Sequence, residues 1–308
     1  MKGYPMFIAD MHCDSLSCVS ASRGLVCPHN VSQKNPYLQA FAAFIPAEER
    51  PAAIRRAQLM RMFNAYLYET DRLGIRRILG VHDLIGATDN GERASIFTVE
   101  GGGGLFADST ELTALYNGGM RILGLCWDSN ELATGAWDRS GGGLTSEGRK
   151  LALACEEIGI TLDCSHLNDR SLDELMDITR YPVIATHSNF RSVCNSPRNL
   201  TDEQAKKIIS RGGVIGLNLY PEFLSERDTC TSDDILRHVD YALELLGEGA
   251  LGLGCDIDGT EGHYPEGFNE ASSIHDRLGE LLCSHYSSSV VERIMGLNVI
   301  DFLEGALG

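Results

Sequence analysis

The 308-residue sequence is short of positive charge. It has 26 lysines and arginines against 43 aspartates and glutamates, a formal net charge of -17. With no basic patch interleaved with aromatics, that balance argues against a nucleic-acid partner. Long apolar runs are missing too. Nothing approaches the roughly 20 residues a transmembrane helix needs. MKGYPMFIAD at the start has one lysine and reaches an aspartate too soon for a secretory signal. DFLEGALG at the end lacks the hydrophobic tail of a lipid-anchor signal. The expectation is a cytoplasmic protein with no membrane partner. No CxxC pair occurs among the ten cysteines, which are spread over a chain much longer than a disulfide scaffold. Cys126, Cys164 and Cys255 lie in apolar runs and read as buried thiols acting as small hydrophobes. Also absent is a glycine fingerprint after the first apolar run, so a doubly wound dinucleotide-binding sheet is disfavoured. GGGG at 101–104 has the wrong spacing, and GEGALGLG near residue 250 enters a strand instead of opening a helix.

What is present is a repeated β–α rhythm. Eight strand-like runs stand out: MFIADMH, YLQAFAAFIP, ASIFTVE, MRILGLCW, GITLDCSH, YPVIATH, GGVIGLNLY and ALGLGCD. Most are continuously apolar, as parallel strands covered on both faces are. Helical patterns separate them. PAAIRRAQLMRMFNAYLYETDRL has Pro51 suited to its first turn, and TSEGRKLALACEEIG has Thr145 as a plausible N-cap. RRILGVHDL could be another strand and is assigned to helix and loop. The expected architecture is a (β/α)8 TIM barrel forming one catalytic domain over residues 1–308.

Polar residues collect at the C-terminal ends of these runs, where such barrels place their chemistry. The first ends in His12 and Asp14, the third in Glu100, the fifth in His166, the sixth in His187 and the eighth in Asp256 and Asp258. His12 and Asp14, two apart on an extended end, point the same way. Each alone could be a hydrogen-bonded strand terminus. Together they crowd charges that are costly unless cations neutralise them. Three histidines with carboxylates suit zinc, with iron or manganese also open. Five ligands exceed one tetrahedral site and suggest two metal ions. Glu100 would bridge, with His12 and Asp14 on one ion and His166 and His187 on the other. Water held between two ions becomes a nucleophile near neutral pH. Asp256 could exchange protons with it or grip a substrate amine, while Asp258 reads as loop support.

These residues resemble the membrane, or renal-type, dipeptidases, binuclear-zinc barrel peptidases. The matching pieces are HCD, VEGG at 99–102, DCSH at 163–166, HSNFRSVCNSPRNLTDE at 187–203, GCDIDG at 254–259 and GLNVIDFL at 296–303. The resemblance implies two Zn2+ ions on His12, Asp14, Glu100, His166 and His187, with Glu100 bridging. It also implies that Arg198 receives the substrate's terminal carboxylate, and that Asp256 lies near the amine as a proton shuttle. The activity implied is hydrolysis of dipeptides with a free C-terminal carboxylate, with a D-residue tolerated at the second position, by a dizinc-bridging hydroxide. A homodimer is implied as well. On chemistry alone, Arg198 offers a rigid fork to a carboxylate, with Arg191 as a rival.

There are departures from that family. Where the animal members have a substrate-contacting histidine, this chain has Trp127, which can pack and donate one hydrogen bond but cannot titrate. The oxyanion would lean on zinc, with help from Asn130. The short segment between HCD and YLQAF can reshape the pocket. Two other readings stay open: a binuclear amidohydrolase acting on an N-acyl amino acid or cyclic amide, and a non-catalytic metal-binding interaction module.

Overall fold

The computed structural model describes residues 6–20, 35–46, 51–106, 109–268 and 273–308. Most of the segment between HCD and YLQAF lies outside these described residues. Each of the eight apolar runs supplies one barrel strand. They are β1 (Ile8–Asp10), β2 (Tyr37–Phe44), β4 (Arg93–Glu100), β5 (Met120–Gly124), β6 (Thr161–Asp163), β7 (Val183–Ile184), β8 (Ile215–Leu217) and β9 (Leu251–Leu253). A further strand, β3 (Arg76–Arg77), pairs with β4 at Ala94 and Ser95. Thus RRILGVHDL, read as helix and loop, does form the helix Val81–Asn90 but opens with this two-residue strand.

All pairings between the named strands are parallel, in the order β7-β6-β5-β4-β2-β1-β9-β8. The two ends meet through a parallel bridge between Ala185 and Ile215, which closes the ring. Neighbours in space follow the order in sequence, as a (β/α)8 barrel requires.

Local sequence sets the helices between strands. Thr145 caps the helix Ser146–Ile158, its hydroxyl accepting from Gly148 N at 3.0 Å. Thr201 and Gln204 form a reciprocal capping box on Asp202–Ser210. Pro51 stands one position earlier than expected, at the N-cap of Ala52–Leu73.

One apolar cluster takes alternate residues from the strands: Ala9 and Met11, Leu38 and Ala40, Ala94 and Ile96, then Ile122, Ile184 and Val214. Val299, Ile300 and Leu303 of the helix Asn298–Leu307 join it. In β4 the residues in step with Ala94 and Ile96 are Thr98 and Glu100, so one strand face turns from apolar to charged toward its C-terminal end. Cys13, Cys126, Cys155, Cys164, Cys194, Cys230 and Cys255 are free and buried, and Cys283 is free and exposed. No helix among the described residues is long and apolar enough to cross a membrane.

Candidate metal centre

Past β1 the chain bends at Met11 and then pairs again at Cys13. Cys13 bridges Ile257 beyond the end of β9, Asp14 N donates to Ile257 O at 2.7 Å, and Ala42 N donates to Cys13 O at 2.8 Å. His12 and Asp14 therefore share a direction, with His12 Nε2 at 3.3 Å from Asp14 Oδ2. Glu100 ends β4 opposite Phe44 of β2. Its two oxygens face different partners. Oε2 lies 3.4 Å from His12 Nε2, while Oε1 lies 2.7 Å from His166 Nε2 and 3.6 Å from His187 Nε2. The His12 and His187 rings stack with centroids 3.7 Å apart. His166 and His187 bring their Nε2 atoms to 2.8 Å.

All five residues are buried. His12 Nε2 and Asp14 Oδ1 have no hydrogen-bond partner. Buried polar atoms left like this cost about 1–3 kcal/mol each, more when charged. Convergent nitrogen and carboxylate donors with orphaned acceptor atoms fit divalent cations, and two overlapping groups, His12–Glu100–His187 and His12–Asp14–Asp256, could each hold one.

Electrostatics point the same way. Burial opposes the charge on Glu100, but facing His12 and His166 outweigh it and hold the carboxyl well below its usual range. Burial and the Glu100 charge push Asp14 up to about 7, against the pull of His12. Burial also works against a charge on His12, yet Glu100 and Asp14 keep its pKa well above the histidine norm. His187 is driven well below that norm by burial and by the His12 and His166 charges. Protein charges thus balance one another at the expense of individual groups, a task a cation performs directly.

The backbone is strained at three residues in and around the site. His166, Asp256 and Asp258 have φ of 71°, 58° and 66°, unusual for residues with a Cβ. A Cβ at Gly259 would come within 2.2 Å of Asp256 Oδ1 and 2.3 Å of Asp14 Oδ2, so a side chain there would push both carboxylates out of place. Asp256 Oδ1 lies 3.9 Å from His12 Nε2, and its Oδ2 accepts from Asn218 Nδ2 at 3.1 Å. Asp258 instead accepts from Ser15 Oγ at 2.5 Å, a loop contact.

Arg198 is buried. Its Nη1 donates to Ser188 Oγ at 3.4 Å, its Nη2 donates to His187 O at 3.2 Å, and its Nε has no partner. No salt bridge to Arg198 forms among the described residues. Burial lowers its pKa, while Asp256 and Glu100 oppose that effect. Arg191, the rival, is fully engaged: both Nη atoms reach Asp169 at 2.8 Å, and Nε donates to Asn199 O at 2.9 Å.

Trp127 is half-exposed, its rings 5.1 Å from Phe44 and 5.9 Å from His166. Asn130, expected to help the oxyanion, instead braces its own loop. Nδ2 donates to Leu125 O at 2.9 Å, while Oδ1 accepts from Leu132 N at 2.8 Å and Ala133 N at 3.2 Å. Sequence reasoning missed the roles of Asn218, Thr186, Asp163 and Asp10. Asp10 Oδ1 accepts from His12 N at 3.0 Å and Cys255 N at 3.2 Å, and its Oδ2 meets His275 Nε2 at 2.7 Å. For Asp10, Asp163 and Thr186 the one available signal was a position within three residues of a candidate ligand, and Asn218 has no such neighbour.

A model of the family described as membrane dipeptidase (peptidase family M19) matches residues 29–306. An uncharacterized protein in the pqqA 5′ region of Klebsiella pneumoniae is 30% identical over 241 residues, 75% of this chain and 88% of that protein. An uncharacterized dipeptidase of Schizosaccharomyces pombe is 30% identical over 223 residues, 69% of this chain and 53% of that protein, so the chain spans about half its length. The crystal structure of the dipeptidase AC, a metallopeptidase of family M19, matches with a TM-score of 0.84 at 26% identity, covering 99% of both chains.

Proposed function

The chain belongs to the membrane dipeptidase family, peptidase family M19, and is a metallo-dipeptidase; from that premise we propose how its site works. Its substrates are dipeptides with a free C-terminal carboxylate. Its metal centre would hold two ions, zinc by the donor set of three imidazoles with carboxylates. Glu100 would serve both, with His12 and Asp14 holding one and His166 and His187 holding the other. When bound, the ions supply Lewis acidity, acidifying water near neutral pH and polarising a carbonyl. The observation that carries this reading is the division of the Glu100 carboxylate, Oε2 to His12 at 3.4 Å and Oε1 to His166 at 2.7 Å.

The remaining groups bind and orient. Arg198 is a buried guanidinium without a salt bridge among the described residues, and a buried charge in that state is costly. A substrate carboxylate supplies the missing counter-charge through a two-pronged contact. Asp256, fixed through one oxygen by Asn218, lies beside the substrate amine, takes up the proton that the attacking water gives up and returns it to the leaving amine. Trp127 forms a wall of the mouth and contributes no base. Asn130 acts by holding the Trp127 loop. Tolerance of a D-residue at the second position belongs to the same reading and rests on the family resemblance.

A substrate panel tests this. Dipeptides with L- or D-residues at the second position, C-amidated dipeptides and N-acyl amino acids are compared by kcat/KM. We expect turnover of free dipeptides of both kinds and a loss of roughly 100-fold or more on amidation, because two charge-assisted hydrogen bonds disappear. Turnover of N-acyl amino acids equal to that of dipeptides would move the assignment to a broader amidohydrolase.

A further inference from the structure

We propose that Thr186 and Asp163 are positioning residues that lock His187 in the one tautomer able to bind a metal ion through Nε2. The proposal rests on the reading of His187 as a ligand and adds what fixes its proton.

The argument is a count of hydrogens. Asp163 is a buried carboxylate at the end of β6 and has only acceptor atoms. Its Oδ1 accepts from Ser165 N and Thr186 N, both at 2.9 Å. Its Oδ2 accepts the Thr186 hydroxyl at 2.5 Å. That hydroxyl has one proton, and the carboxylate takes it. The contact of 2.7 Å between Thr186 Oγ1 and His187 Nδ1 then has no hydrogen to use except one on the imidazole. His187 therefore donates from Nδ1 and presents a bare lone pair at Nε2. That lone pair faces His166 Nε2 at 2.8 Å and Glu100 Oε1 at 3.6 Å.

The strand carrying this relay is held tightly. A Cβ on Gly216 or Gly254 would come within 1.9 Å or 1.8 Å of Thr186 O, so glycines on β8 and beyond β9 let it approach. The tie to β6 also survives without the hydroxyl, because Thr186 N still bonds Asp163. Removing the hydroxyl thus separates an effect on the imidazole from an effect on the strand. Such partners of metal-binding histidines typically set affinity by roughly 10–100-fold.

The test uses the full-length chain stripped of metal. Nitrogen-15 NMR of the wild-type imidazoles should show His187 protonated at Nδ1, and an Nε2–H tautomer would overturn the proposal. Zinc binding is then measured by competition with a chromogenic chelator. Thr186→Val should weaken one of the two zinc affinities by roughly 10–100-fold, and Thr186→Ser should restore it to within about 3-fold. Asp163→Asn serves as a second variant if Thr186→Val fails to fold, with the same weakening expected. His187→Ala is the control. If it weakens zinc while Thr186→Val does not, the relay is overturned and the metal centre stands. If His187→Ala binds zinc as tightly as wild type, the ligand assignment itself falls and takes the proposal with it.

Discussion

Glu100 and Arg198 are buried groups of opposite sign, the first facing imidazoles and the second without a salt bridge among the described residues. Glu100 is surrounded by imidazoles, and Arg198 by a hydroxyl, a carbonyl and the Phe223 ring at 5.2 Å. For Arg198 this yields a kinetic prediction. Arg198→Ala should raise KM for dipeptides and lower kcat/KM by roughly 100-fold, about 3 kcal/mol, while changing little on C-amidated analogues. Arg198→Lys should recover only part, since an ammonium keeps the charge and loses the fork. Equal losses on both substrate classes would remove Arg198 from carboxylate recognition. At this scale the proposed ligands were legible as a converging group because each sits at the end of an apolar run. Asn130 and Thr186 were not, because what they do depends on partners such as Leu125 O and Asp163 that only folding brings near.

Elements matter through the contacts that tie their loops together. The helix Ser232–Leu246 carries His238, whose Nδ1 accepts from Phe190 N at 3.3 Å and whose Nε2 meets Leu224 O at 3.2 Å. A neutral imidazole satisfies both contacts, and a doubly protonated one breaks the first. Burial lowers the pKa of His238 from 6.5 to about 4. Below the unfolded value the unfolded chain takes a proton that the folded chain refuses. The contribution is complete above pH 6.5 and is lost as the pH falls to about 4. Up to roughly 3 kcal/mol is involved. Urea midpoints of metal-stripped protein should therefore fall across that window, and His238→Gln should flatten the fall. An unchanged slope in the variant would show that other groups carry it. The strands and helices themselves were largely readable from periodicity and caps. β3 was not, because a two-residue strand has no period and exists only by pairing with β4.

The whole molecule brings the proposed ligands together from the ends of β1, β4, β6 and β7, so a metal bound there would tie distant parts of the barrel to one another. Ions that bind only the folded chain add stability by mass action, about 4 kcal/mol per site at a thousand times Kd. Thermal melts with zinc should therefore exceed melts with a chelator by on the order of 10 °C. Identical melts would mean that the centre contributes nothing to folding. The barrel was legible at this scale because eight apolar runs alternate with helical patterns, and ring closure needs no signal beyond their number. The most direct test of the account is the zinc-to-protein ratio of wild type and Glu100→Gln after dialysis to low free zinc. The account predicts two ions per wild-type chain and no more than one in the variant, with far-UV circular dichroism unchanged and turnover nearly abolished. A variant that keeps two ions and full turnover would contradict it.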